Sequence, residues 1–323
     1  MAGKVAIVLF NLGGPDGQEA VQPFLRNLFS DPAILRVPGF VRWPLAWLIA
    51  KRRAPIAKEI YQKIGGGSPI LKQTQRQADA LAAKLQADGM TAACFIAMRY
   101  WHPMSDETAQ KVKAYNPDRI VLLPLYPQFS TTTTESSLAD WDRAAEKIGL
   151  NKPTDRIISY PVDEGFITAQ ADLIAAKVQD MDDKPYRLLF SAHGLPKKVV
   201  ESGDPYCDQV AETANALVYE LTRRGILLPD WQICYQSRVG PLEWVGPNTE
   251  DEIKRAASDN LNLIVVPLAF VSEHSETLVE LDLEYGDLAR DLGIGTYLRA
   301  STVQDHPAFV QGLANLVKDV LDG

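Results

Sequence analysis

Cysteine and histidine are scarce in this chain: three cysteines, Cys94, Cys207 and Cys234, and four histidines in 323 residues. The cysteines stand far apart and no Cys-x-x-Cys pair occurs, which excludes a zinc knuckle or a cluster held by ligands close in sequence. Isolated thiols of this kind fit a reducing compartment. Long basic runs are missing as well. With a net charge of −8 the chain does not suit a general nucleic-acid binder. Its surplus of carboxylates suits a cationic partner such as a metal ion, or simply solubility. No apolar run is long enough to span a bilayer. The run from Val5 to Phe10 is short, lacks a small-x-small cleavage site and enters the turn Asn11-Leu12-Gly13-Gly14-Pro15, so it reads as a strand and not as a leader. The hydroxyls from Ser130 to Ser137 suggest an anion-binding helix start or ordinary caps, but no glycine-rich phosphate motif accompanies them, which disfavours nucleotide binding.

What remains is ordinary globular material, 46% hydrophobic and 23% charged. Short β-branched runs alternate with longer helical patterns, the order expected of parallel sheets covered by helices. The pattern predicts strands at 5–10, 92–98, 119–125, 156–159, 187–191, 232–235, 263–268 and 296–299. It predicts helices at 71–87, 107–115, 134–147, 165–179, 208–224, 250–258, 276–292 and 307–321. The strands form two groups of four, and the groups are alike. Val8-Leu9-Phe10-Asn11 with Gly14 matches Leu188-Leu189-Phe190-Ser191 with Gly194, and Ile-Val-Leu-Leu-Pro-Leu at 120–125 matches Leu-Ile-Val-Val-Pro-Leu at 263–268. Phe10 and Phe190 are 180 residues apart and Pro124 and Pro267 are 143 apart, so the first half carries 37 extra residues between its first and third strands. That insertion falls at about 36–72. In it Phe40, Trp43, Trp47 and Leu48 precede Lys51-Arg52-Arg53, which suits a membrane interface or the mouth of an apolar pocket. A buried amphipathic helix with core tryptophans fits equally, although Pro44 weighs against a regular helix and towards a lip.

Ligands of doubly wound α/β proteins bind beyond the carboxyl ends of the strands. The segments there are rich in aromatics, glycine and proline: Arg99-Tyr100-Trp101-His102-Pro103 in the first half, and Ala192-His193-Gly194-Leu195-Pro196 and Gln236-Ser237-Arg238 with Trp244 in the second. They predict a large, flat, apolar slot with few polar groups. His193 follows the fifth strand, where an imidazole accepts a proton or offers nitrogen to a metal; alone it is better read as structural. Ser272-Glu273-His274-Ser275-Glu276 supplies further polar groups. Glu276, Glu280 and Glu284 are four apart and predict one acidic stripe on a helix. Like charges at this spacing weaken a helix, and beyond the first turn the dipole no longer offsets them. A functional row is therefore favoured over a solvated face, and carboxylate with imidazole suits a divalent metal such as Fe²⁺.

Seven motifs in order resemble the ferrochelatase family over nearly the whole chain. They are Val8 to Pro15, Gly65-Gly66-Gly67-Ser68-Pro69-Ile70, Arg99-Tyr100 with His102-Pro103, Ser191 to Pro196, Gly203-Asp204-Pro205-Tyr206, Gln236-Ser237 with Trp244, and Glu273 to Leu278. The resemblance implies an α/β chelatase fold. It has two similar Rossmann-like domains, 1–160 and 161–323, each a four-stranded parallel sheet flanked by helices, with a porphyrin cleft between them. The last helix, 307–321, would pack back on the first domain. The implied reaction inserts ferrous iron into a bent protoporphyrin IX and releases two protons. His193 and Glu276 would share metal binding and proton removal, with His193 neutral at an ordinary imidazole pKa of roughly 6.5. Glu273, His274, Glu280 and Glu284 would form an acidic path. Arg52 or Arg53, Tyr61 and Ser68 would meet the propionates. Leu12, Arg99, Tyr100, Ser130, Val239 and Trp244 would line the macrocycle. Iron is then a substrate and no permanent cofactor is expected. The chain stops soon after its last helix and has Thr132 where animal members carry a further cysteine, so no iron–sulfur cluster is expected either. The expected setting is cytoplasmic, with peripheral membrane contact through 40–53 and contact with the preceding enzyme of porphyrin synthesis. Coproporphyrin as substrate, a cobalt chelatase of corrin synthesis, and a non-catalytic two-domain binding protein are the alternatives. The tryptophan-rich insertion favours protoporphyrin, and the acidic stripe with His193 favours an enzyme.

Overall fold

The computed structural model describes residues 3–181, 185–228, 230–238, 240 and 242–322. They fall into two compact units, Met1–Ser159 with Leu313–Gly323, and Tyr160–Gly312. The first unit runs β1 (Val5–Asn11), α1 (Val21–Ser30), α2 (Gly39–Gln62), α3 (Ile70–Ala87), β2 (Ala92–Met98), α4 (Ser105–Tyr115), β3 (Arg119–Pro124), a π turn (Thr131–Glu135), α5 (Ser136–Lys147) and β4 (Thr154–Arg156). The second runs α6 (Glu164–Gln179), β5 (Tyr186–His193), α7 (Lys197–Glu201), α8 (Tyr206–Arg223), β6 (Trp231–Gln236), α9 (Thr249–Ser258), β7 (Asn262–Pro267), a π segment (Glu276–Glu284), α10 (Tyr285–Asp291) and β8 (Tyr297–Arg299). The last helix, α11 (Pro307–Asp322), begins in the second unit and ends in the first.

Each unit holds a parallel four-stranded sheet, ordered β2-β1-β3-β4 in one and β6-β5-β7-β8 in the other. The first three strands of each are covered on both faces, so they read as continuous apolar runs and not as alternation. The duplication read from the sequence is therefore present, with one correction to its register. Phe10 pairs with Pro124, whereas Pro267 pairs with Ser191 and Phe190 with Val266. The equivalent of Phe10 is thus Ser191, one position beyond the matching phenylalanine. Core packing agrees: Val8 and Leu122 pack with α4 and α5, and Leu189 and Val265 pack with α9 and α10. A one-residue slip inverts every side chain, and only a strand buried on both faces conceals it in sequence.

The inserted segment is also corrected. It is a regular helix of 24 residues, α2, with Pro44 and Pro55 inside it. Each proline denies a helical donor to the carbonyl four residues earlier, that of Phe40 or Lys51, and both residues are exposed, so water can replace the bond. The helix is held by a stripe of small residues, Ala46, Ala50 and Ala54, leading to Tyr61. Ala50, Ala54 and Tyr61 pack with Val21, Phe24 and Leu25 of α1 in one cluster. Its tryptophans are not core residues: Trp43 is 62% and Trp47 49% exposed. Two glycine-rich motifs of this unit meet backbone to backbone. Ser68 N–H donates to the Pro15 carbonyl at 2.7 Å, and a Cβ on Gly14 would lie 2.6 Å from Ser68 Cβ.

In the first unit α11 is tied by Arg119, whose guanidinium donates to the terminal carbonyls of Leu321 and Val320 at 2.7 and 3.3 Å, and by Lys318 on Asp88. In the second, α6 and α11 cross at two glycines. A Cβ on Gly165 would stand 2.3 Å from the Ala308 carbonyl oxygen and 2.7 Å from Gly312 Cα, both backbone atoms that no rotamer can move. Gly165→Ala is therefore expected to destabilise the protein by about 1–3 kcal/mol, read as a lower midpoint in thermal or urea unfolding. An unchanged midpoint would show that the crossing is looser than described.

Candidate active site

In a sheet ordered β6-β5-β7-β8 the chain reverses its direction of progress between β5 and β7, and ligand sites of this architecture form beyond the strand ends at that point. His193 is the last residue of β5. The chain leaving β7 reaches Glu276 at the start of the π segment. The two side chains meet there: His193 Nδ1 lies 2.8 Å from Glu276 Oε2, with 38% of one side chain and 32% of the other exposed. The adjoining groups fix the pair. Gly194 is closely surrounded: a Cβ would lie 3.0 Å from the Gln236 carbonyl oxygen and 3.3 Å from Trp244 Cε3, so a side chain there would press these neighbours aside by a few tenths of an ångström. Tyr206 is buried, and burial first, with the nearby Tyr235, Cys207 and Glu276, pushes its phenol well above the ordinary value.

The acidic row departs from the expected α-helix. Residues 276–284 form the π segment, and the α-helical part, α10, follows it. The wider i→i+5 turn spreads residues spaced by four. Glu276 faces His193, Glu280 is held inside the unit, and Glu284 lies on the surface. Glu280 accepts four hydrogen bonds. Oε1 takes Ser237 N–H at 2.8 Å and the Tyr285 hydroxyl at 3.0 Å; Oε2 takes Gln236 Nε2 at 3.0 Å and the Ser237 hydroxyl. Gln236 also donates to the Glu276 carbonyl at 3.1 Å, its amide oriented by Ser191, whose hydroxyl donates to Oε1 at 2.8 Å. His274 Nε2 stands 3.7 Å from Glu276 Oε2, and its Nδ1 is 3.1 Å from the Ser272 carbonyl oxygen. Glu273 is buried and accepts from Arg299 at 2.7 Å and from Thr302 N–H at 3.0 Å.

These contacts set the charges. Burial opposes a charged His193, but the Glu276 carboxylate at hydrogen-bond distance and Glu280 behind it outweigh burial and push the imidazole above its ordinary value. Burial would raise Glu276; His193 first and His274 second hold it well below the usual carboxylate range. Burial and the Glu276 charge raise Glu280 against its four donors. Relative to the unperturbed pKa on which a neutral histidine was expected, the Glu276 contact favours the protonated imidazole. Among the described residues no three His, Cys, Asp or Glu side chains converge to hold a metal ion; the pair offers two donors.

The residues expected in the first unit are placed differently. Tyr100 is 1% exposed, and its hydroxyl donates to Asp31 at 2.8 Å. Arg99 donates to Ser136 at 2.7 Å and pairs with Asp31 at 2.7 Å. Ser130 is buried and caps the π turn by accepting from Thr132 N–H at 3.1 Å. These three spend their polar groups on the interior of their unit. Tyr61 is buried on the side of α2 that packs on α1, while Arg52 is exposed and Arg53 lies 5.7 Å over the Phe29 ring. Leu12 is partly buried between two core clusters, and Ser68 sits against Gly14. Trp244 bridges to Pro196 beside His193. Val239 lies outside the described residues. Sequence reading passed over Tyr285 and Arg299, and it noted Gln236 and Tyr206 only as parts of motifs. A polar residue ending the edge strand β8 was the available signal for Arg299.

The fold belongs to the class of two-unit chelatases. SirB from Bacillus subtilis with Fe³⁺ superposes with a TM-score of 0.57 at 13% identity, covering 98% of this chain and 95% of that one. The sirohydrochlorin chelatase SirB in complex with cobalt gives 0.56 at 13%, over 99% and 96%. Within that class the chain belongs to the ferrochelatase family, whose model matches residues 4–321. It is 52% identical to the ferrochelatase of Caulobacter vibrioides over 322 residues, 99% of this chain and 91% of that protein. It is 51% identical to that of Phenylobacterium zucineum over 326 residues, 99% and 92%, and 46% identical to that of Pelagibacter ubique over 316 residues, 97% and 90%.

The charge assignment has a direct check. In a proton NMR titration of the iron-free protein, the His193 imidazole is expected to titrate above the ordinary 6.5 and to move down in Glu276→Gln. Titration at or below the ordinary value in the wild type would contradict the pairing.

Proposed function

We infer that this chain inserts ferrous iron into a porphyrin, the last step in making haem, with protoporphyrin IX as the proposed substrate. The observation that carries the chemistry is the His193–Glu276 contact at the switch point of the second sheet. Metal entry requires loss of two pyrrole N–H protons and a polar site for a dication. A histidine–carboxylate pair supplies both functions. The carboxylate offers hard oxygen to Fe²⁺, and the neutral imidazole takes the two pyrrole protons one at a time, releasing the first to solvent water before accepting the second. Because Glu276 raises the imidazole's pKa, its neutral form is favoured by higher pH, and proton acceptance weakens as pH falls through that value. Glu273, His274, Glu280 and Glu284 are the proposed acidic approach. Its members stand in unequal surroundings: Glu280 accepts four hydrogen bonds and Glu284 is open to solvent. Iron is substrate in this reading. His193→Ala is expected to abolish haem formation, followed by absorbance, while porphyrin fluorescence quenching still reports binding. Near-normal turnover would refute the assigned role.

Arg52 and Arg53 of α2 are the proposed propionate partners. The same helix exposes Phe40 by 82%, Trp43 by 62% and Trp47 by 49%, and Lys51 Nζ lies 5.1 Å above the Trp47 ring. No helix among the described residues is long and apolar enough to cross a membrane. Exposed tryptophans beside cationic groups instead suit insertion at the interface of an anionic bilayer. Co-sedimentation with anionic liposomes at low salt, lost in Trp43→Ala with Trp47→Ala, is the expected result. A protein that stays in the supernatant at low salt lacks this contact. Turnover compared on protoporphyrin and coproporphyrin separates the two substrate readings, with protoporphyrin expected to be faster.

A further inference from the structure

The π segment Glu276–Glu284 is held by two sets of groups. Gln236 and Ser237, where β6 ends, bind the Glu276 carbonyl and the Glu280 carboxylate. Arg299, the last residue of β8, binds two other acidic residues. Its Nε and Nη2 donate in parallel to Asp282 Oδ1 and Oδ2 at 2.7 and 2.6 Å. Its Nη1 donates to Glu273 Oε1 at 2.7 Å, an oxygen that also accepts Thr302 N–H at 3.0 Å. Tyr297, two residues earlier, donates its hydroxyl to the Leu281 carbonyl at 2.7 Å. The side chains of Arg299 and Glu273 are 10% and 7% exposed, so solvent does not readily replace the bond between them, while Asp282 is 33% exposed.

One guanidinium therefore ties a residue just before Glu276 to a residue well after it. An i→i+5 turn is rarer than an α-helix, and relaxing to the α pattern would re-aim each side chain beyond the first turn. Parallel donation to a carboxylate needs the planar fork of arginine, which a lysine ammonium does not reproduce. We propose that Arg299 is a positioning residue for iron insertion, which by fixing the chain just before Glu276 and the π segment after it holds that carboxylate on His193 Nδ1. Arg299 itself touches neither member of the pair, and the proposal rests on the reading of His193 and Glu276 as the reacting groups.

The test compares full-length Arg299→Lys and the milder Asp282→Asn with wild type and His193→Ala. The measurements are kcat, KM for porphyrin and for ferrous iron, porphyrin affinity by fluorescence quenching, and the thermal midpoint. Both variants are expected to lower kcat by roughly 10- to 100-fold, the range for small misplacements of a reacting group, while porphyrin KM and affinity stay unchanged. Arg299→Lys should retain more turnover than Arg299→Met, because the charge survives. A lower midpoint with unchanged kcat, or a loss confined to porphyrin KM, would mean that Arg299 serves stability or substrate binding alone and would overturn the proposal. Near-normal turnover in His193→Ala would instead remove the pair assignment, and the positioning role would fall with it.

Discussion

An imidazole and a carboxylate 2.8 Å apart, each about a third exposed, keep their places only if two quite different pieces of backbone agree. His193 is the easier to fix, because it ends a central strand paired on both sides. Glu276 stands on a π segment, where backbone regularity gives less support. The surrounding polar groups supply the rest. Gln236, Ser237 and Tyr285 saturate Glu280, and Arg299 spans Glu273 and Asp282. Four acidic residues, Glu273, Glu276, Glu280 and Asp282, are gathered here against Arg299 and the imidazole. Glu276, with Glu280 behind it, overcomes desolvation at His193 and raises its pKa. The geometry of the pair and that upward shift therefore have a common origin, in the carboxylates of one short stretch of chain.

Much of this was legible in sequence. The parallel sheets followed from alternating β-branched and helical runs, and β2 falls at 92–98 as read. His193 and Glu276 came from asking what lies beyond each strand end, a rule that rests on how right-handed crossovers leave an open edge. Other features left no mark. Nothing in the composition of residues 276–284 separates a π from an α turn, because both are built from the same helix-forming residues. Pro44 counted against a helix at α2, yet the alanine stripe packing on α1 outweighs the lost bonds. Arg99, Tyr100 and Ser130 follow strand ends, and the family resemblance implied that they line the macrocycle. Only coordinates show them bonded to Asp31, Ser136 and Thr132.

The two units show how far a shared scaffold can separate from its chemistry. Each has a parallel sheet of the same order, with a π turn after its third strand. In the first unit that turn is capped by Ser130, and the neighbouring Arg99 and Tyr100 converge on the buried Asp31. In the second it carries Glu276 and Glu280. Topology supplies the location in both halves, and side-chain chemistry differs between them.

The offset between the halves matters for any attempt to exchange parts between them. Joining the first half to the second at the phenylalanines, where the letters agree, would exchange the two covered layers of each strand, placing Leu188 where Val8 now joins the core cluster of Trp141. A chimera cut instead by pairing partners, so that Ser191 follows on from Leu9, keeps every apolar residue on its own layer. Ancestry in this molecule is recorded in which backbone atoms face each other across the sheet, and a recombinant designer who trusted the spelling would build the one arrangement the core rejects.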